Sequence, residues 1–116
     1  MEETEHFVER IRADIEARCH CTVQKKLLKD GGYHLRSNRV FAWIRQVIHG
    51  RVVPDRCFPI QVEEKYAIEA GVTNLADKRD DNGWYNTPAC YYYVIEGNIE
   101  SYNRAVRALS GICRML

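Results

Sequence analysis

Two adjacent glycines, Gly31-Gly32, break the chain between two segments patterned for regular structure, and this break constrains the fold more than any other feature. Glycine tolerates positive φ and costs a helix interior about 1 kcal/mol relative to alanine. Before the break, Val23, Leu27 and Leu28 suit a short helix that Thr22 would cap, whereas alternation in Cys21-Thr22-Val23-Gln24 suits a strand. After it, Ser37 or Asn38 caps an element in which Val40, Phe41, Ile44, Val47 and Ile48, with Trp43, form a wide apolar face. Gly50 stops that element after three turns. A short helix, a glycine-bearing turn and a capped helix are the order of a helix-turn-helix.

The flanking segments add further helices. From Thr4, a plausible N-cap, to Arg18, the residues Phe7, Val8, Ile11 and Ile15 recur at helical spacing, with acids in the first turn. Val52-Val53-Pro54 reads as an extended linker, because a residue before proline is pushed from the α region. Pro54 or Asp55 then opens a helix that carries Ile60, Tyr66, Ala67 and Ile68 to Gly71, with Pro59 in or near its first turn. Residues 77–88 are rich in turn formers and read as a loop or linker. Cys90-Tyr91-Tyr92-Tyr93-Val94-Ile95 reads as a strand, with a helix as the alternative.

Asn98 caps a last helix whose apolar residues Ile99, Tyr102, Val106, Leu109 and Cys113 form a two-heptad seam. That seam packs either on the chain's own core or against a second copy. The expected fold class is mainly α: a helix-turn-helix domain of four to five helices with a short C-terminal strand and helix, α+β overall. Its expected organisation is a DNA-binding domain over 1–76, a linker over 77–88 and a dimerisation strand and helix over 89–116.

A length of 116 residues suits one compact domain, or a small domain with a dimerising appendage. With 46% hydrophobic and 28% charged residues, disordered and fibrous classes are excluded. No apolar run approaches the roughly 20 residues that cross a bilayer, and the acidic start Met1-Glu2-Glu3-Thr4-Glu5 is unlike a signal peptide. A cytoplasmic, nucleoid-associated protein with no membrane partner is expected. The five cysteines, Cys19, Cys21, Cys57, Cys90 and Cys113, are odd in number. Cys19-His20-Cys21 invites a metal reading, but a structural zinc site usually has a wider gap and a second matched pair. Buried free thiols are therefore expected, with no metal and no cofactor.

Net charge is only +1, yet it is unevenly placed. Residues 18–56 hold nine basic side chains against Asp30 and Asp55, a local net of +7, while residues 1–17 and 57–100 are acidic. A basic block in an acidic chain is the pattern of a polyanion-binding surface. In a helix-turn-helix, Arg36-Ser37-Asn38-Arg39 would start the recognition helix and offer forked and amide groups to base edges. Lys25, Lys26, Lys29, Arg45, Arg51 and Arg56 would complete the DNA-binding set by approaching phosphates. Trp43 reads as core.

From about residue 35 to 84 the chain also resembles Cro/repressor-like proteins of prophages, the YdaS-type regulators. The resemblance is carried by Trp43-Ile44, then Gly50-Arg51-Val52-Val53-Pro54-Asp55-Arg56-Cys57-Phe58-Pro59, then Gly71-Val72-Thr73-Asn74-Leu75. It implies a four- or five-helix DNA-binding domain and a transcriptional repressor or antitoxin-like regulator.

The resulting expectation is a sequence-specific, phage-type repressor that binds a double-stranded operator as a homodimer, with Tyr92, Val94, Ile99, Tyr102, Val106 and Leu109 at the dimer contact. It is not expected to be an enzyme. Pro54-Asp55 followed by Glu63-Glu64-Lys65 has nuclease-like residue types, but too few residues intervene for a strand pairing to unite them. The alternative is a phage-encoded inhibitor that grips a protein partner through Trp84, Tyr85 and Tyr91-Tyr92-Tyr93.

Overall fold

The computed structural model describes residues 2–84 and 86–116, with Trp84 described in its backbone alone. The chain order is α1 (Thr4–Cys19), β1 (Gln24–Leu27), β2 (Tyr33–Arg36), β3 (Val40–Ile44), β4 (Val47–Ile48), β5 (Arg51–Val52) and β6 (Cys57–Glu63). After these come α2 (Glu64–Glu69), a 3-10 turn (Thr73–Leu75), β7 (Lys78–Trp84), β8 (Thr87–Ile95) and α3 (Ile99–Met115). Six strands make one antiparallel sheet in the order β1-β2-β3-β6-β8-β7, while β4 and β5 form a separate hairpin. This sheet-rich α+β fold overturns the expected mainly helical, helix-turn-helix architecture.

The largest correction concerns residues 37–50, expected to be the recognition helix. They divide among a turn, β3 and the start of the hairpin. Val40, Ile44, Val47 and Ile48, followed by Val52 and Val53, are β-branched side chains that fit a pleated surface with partners on both sides. Their helix-like spacing has a cause. Leu35 pairs with Ala42 but Arg36 pairs with Val40, so Phe41 is an extra residue in a β-bulge. Phe41 and Ala42 are both fully buried, which breaks the alternation expected of a strand.

The helix expected from Pro54 to Gly71 is mostly β6, with only Glu64–Glu69 helical. Phe58, Ile60 and Val62 point into the core at period two. Pro59 is tolerated here because its carbonyl accepts from Arg45 N–H at 3.0 Å, just beyond the last β3–β6 pair, Ile44 with Ile60. Its missing donor therefore falls where that ladder ends. The segment 77–88, expected as a linker, contains β7 and the start of β8. The first helix, the aromatic strand and the last helix form as expected, although Glu3 rather than Thr4 is the N-cap of α1, and Asn98 Oδ1 accepts from Ser101 N–H at 2.9 Å.

All three helices lie on one face of the sheet. Leu35, Ala42, Ile44, Phe58, Ile60, Val62, Tyr92 and Val94 meet Phe7, Val8, Ile11 and Ile15 of α1 and Tyr102, Val106 and Leu109 of α3 in a single cluster. Phe7 stacks on Phe58 with centroids 4.2 Å apart and planes 6° from parallel, and it meets Tyr102 edge-on at 6.3 Å. The Tyr92 hydroxyl donates to Val72 O at 2.8 Å, and the Tyr102 hydroxyl donates to Asp14. The residues expected at a dimer contact are thus in the chain's own core, except Ile99, which is 66% exposed. Residues 1–76 and 89–116 share that core rather than dividing it.

Truncating the ring at the helix–sheet junction tests this packing. Phe7→Ala is expected to lower the unfolding free energy in urea by about 3–5 kcal/mol with the denaturant slope unchanged.

Candidate nucleic-acid interface

The face away from the helices carries a continuous cross-strand row with one residue from each strand. Lys26 pairs with His34, His34 with Trp43, Trp43 with Gln61, Gln61 with Tyr91, and Tyr91 with Lys78. Side chains alternate along a strand, so Arg36 shares this face with His34, and Pro59 and Tyr93 share it with Gln61 and Tyr91. Lys26 and Arg36 are exposed, His34 and Trp43 half-buried, and Gln61 and Tyr91 buried.

Two local structures cover the inner half of the row. Arg45 donates to Gln61 Oε1 at 3.2 Å and to Val47 O at 3.3 Å, bringing the β4–β5 hairpin over the sheet. His49 of that hairpin meets Asp80 of β7 at 2.6 Å. Asp80 is held below the usual carboxylate range by this imidazole and by the Asn82 N–H. Between hairpin and sheet lies a cleft of about 700 Å³ lined by Ile48, Arg51, Val52, Pro59, Lys78 and Tyr93 among others. On the far side β7 bulges over the sheet, and a Cβ on Gly83 would sit 2.3 Å from Ala89 Cβ and 3.0 Å from Gln61 Nε2. What remains open is the outer part, with Lys26, His34, Arg36 and Trp43.

His34 stands between these cations and is partly buried. Burial first, and then the charges of Lys26 and Arg36, push its pKa below the ordinary histidine value. Such a site disfavours another cation and favours an anion. Among the described residues, Lys26, Lys29, Arg36 and Arg51 have no carboxylate within ion-pair distance.

The other cations expected to contact DNA are engaged within the chain. Lys25 Nζ lies 2.9 Å from Glu9, on the helix side of the sheet. Hydrogen bonds from Arg12 and Lys25 hold the Glu9 carboxyl down at about 2. Arg39 donates to the Tyr66 hydroxyl at 2.8 Å, and Arg56 to Glu96 at 3.1 Å. Arg36 ends β2, and Ser37, Asn38 and Arg39 form the turn into β3, with Asn38 Nδ2 donating to Leu116 O at 3.0 Å. Among the described residues no helix presents this set to a groove.

No family model matches the chain, and it is similar to none of the curated proteins or solved structures with which it was compared. The motifs behind the prophage-repressor resemblance lie in a different setting from the one it implies. Trp43-Ile44 ends β3, the Gly50–Pro59 segment spans β5 to β6, and Thr73-Asn74-Leu75 is the 3-10 turn. Asp55 lies in the turn before β6 and Glu63 is that strand's last residue, so the two stand at its opposite ends. Tyr85 lies outside the described residues, as does the Trp84 side chain.

Sequence reasoning missed His34, Gln61 and Lys78, and it placed Trp43 in the core. The signal was present in Tyr33-His34-Leu35-Arg36, where polar and apolar residues alternate at period two.

Because the unfolded chain takes up the imidazole proton at higher pH, this histidine contributes stability above the ordinary value of ~6.5 that is lost as pH falls through its lower folded pKa. An NMR titration is expected to place His34 below that ordinary value, and Lys26→Ala to raise it. An unmoved midpoint in the variant would contradict the electrostatic account.

Proposed function

We propose that this protein binds single-stranded nucleic acid on the open part of its helix-free sheet face. The observation that carries the reading is the Lys26–His34–Trp43 row flanked by Arg36, with its depressed histidine. Single-strand binders combine cations that track the backbone with flat side chains on which bases stack, and this row has both. Trp43 stands two strands from Lys26, about 10 Å at the usual interstrand spacing. A base over the indole thus leaves its backbone near the lysine and arginine.

A duplex read by an inserted helix has no support in this geometry, since the side chains expected to read bases sit in a strand end and a turn. The local charge found in the sequence retains its meaning. Its role moves from a helix to a sheet, and fewer of its cations take part.

Fluorescence anisotropy with labelled single-stranded oligonucleotides and a duplex of equal length tests the proposal. Single strands are expected to bind more tightly than the duplex, to quench Trp43, and to dissociate as salt rises. Trp43→Ala should weaken binding by roughly 1–3 kcal/mol, and Lys26→Ala or Arg36→Ala should each flatten the salt slope by about one phosphate contact. Tighter duplex binding, or affinity indifferent to all three substitutions, would reject the assignment.

A further inference from the structure

Where the ends of α1 and α3 meet, three cysteines converge from opposite ends of the chain. Cys19 is the last residue of α1, Cys21 follows two residues later, and Cys113 lies in the last turn of α3. His20 between the first two adopts the left-handed conformation (φ 51°, ψ 43°), which turns the chain back and brings Cys21 to the side of Cys19. A residue with a Cβ is uncommon in that region, and glycine is the usual occupant after a helix. The three Sγ atoms all lie within 4.8 Å of one another, and Cys21 and Cys113 are 3.4 Å apart.

We propose that Cys19, Cys21 and Cys113 form a thiolate site for a zinc ion, with the fourth position left to solvent. Two Zn–S bonds of about 2.3 Å at a tetrahedral angle hold their sulfurs roughly 3.8 Å apart. The observed separation of Cys21 and Cys113 needs only a few tenths of an ångström of adjustment to reach that value. A disulfide would instead need about 2.05 Å. An open cleft of about 540 Å³ adjoins the thiols and is lined by Thr22, Gln24, Ser37, Asn38 and Arg114, giving an entry path and room for a water ligand. Each of the three thiols releases a proton on binding, so Zn²⁺ with three thiolates carries a net −1 beside the Arg114 guanidinium.

Three ligands with one open position differ from the closed four-ligand sites that only brace a fold. The spacing also explains why the sequence conceals the site. Its third ligand lies 92 residues from Cys21, so no local motif includes it.

Titrating the reduced full chain with Co²⁺ tests the site, because thiolate–cobalt charge-transfer bands and tetrahedral d–d bands report ligand type and geometry directly. One equivalent is expected to bind, zinc to displace it, and bound zinc to shield these thiols from alkylation. Cys113→Ser and Cys19→Ser should each lower metal affinity more than about a hundredfold, beyond the loss caused by removing a group that only orients a ligand. Cys57→Ser, elsewhere in the fold, should leave it unchanged. Cys19 is only half-buried, so its variant keeps the test decisive if Cys113→Ser fails to fold. Absence of the charge-transfer band, its persistence in Cys19→Ser, or a Cys21–Cys113 disulfide under reducing conditions would overturn the proposal.

Discussion

The register of β6 is the constraint on which the rest of the molecule depends. Phe58, Ile60 and Val62 face the helices, and the ring of Phe58 is clasped by Phe7 of α1. A slip of one residue would turn all three away from the helices and bring Pro59 and Gln61 inward. The same apolar anchoring therefore fixes which residues point away from the helices. Gln61 reaches its place beside Trp43 because its two neighbours are committed to the other side. The β3 bulge adds a second adjustment, since Phe41 joins the core without displacing His34 and Trp43 from the opposite face.

Which parts of this fold were readable in the sequence follows from how far apart the deciding contacts lie. Helices α1 and α3 are legible because Phe7, Val8, Ile11 and Ile15, and the Asn98 cap with its seam, encode their conformation locally. The aromatic run of β8 is legible for a similar reason. The centre is not, because Val40, Phe41, Ile44, Val47 and Ile48 satisfy a helical spacing through a bulge and a hairpin. Only pairing with β2 and β6 settles the matter, and pairing partners are invisible to a periodicity argument. Pro59 misled in the same way: it suits the first turn of a helix, and it also suits the end of a ladder.

The candidate sites repeat this division. The excess of basic residues over 18–56 is real, but composition does not say which side of a strand each one occupies. Lys25 and Lys26 are neighbours in sequence, yet one is tied to Glu9 beneath the sheet and the other stands free above it. Arg39 and Arg56 are held by Tyr66 and Glu96. Alternation thus divides a uniform-looking charge block into structural cations and available ones. The thiols show the converse, since Cys19 and Cys21 lack a further partner when read in order and gain Cys113 once the two long helices lie together.

The two borders of the sheet have a consequence for how this protein behaves in a crowd of its own copies. An unpaired strand offers a ladder of backbone donors and acceptors to any passing chain. Here one border is β1, only four residues long with two lysines, and the other is β7, which carries Lys78, Arg79, Asp80 and Asp81 and departs from regular pairing after Asp80. A strand added at either side would have to crowd ammonium, guanidinium or carboxylate groups and follow an uneven template. The fold can thus keep a broad sheet without inviting it to grow.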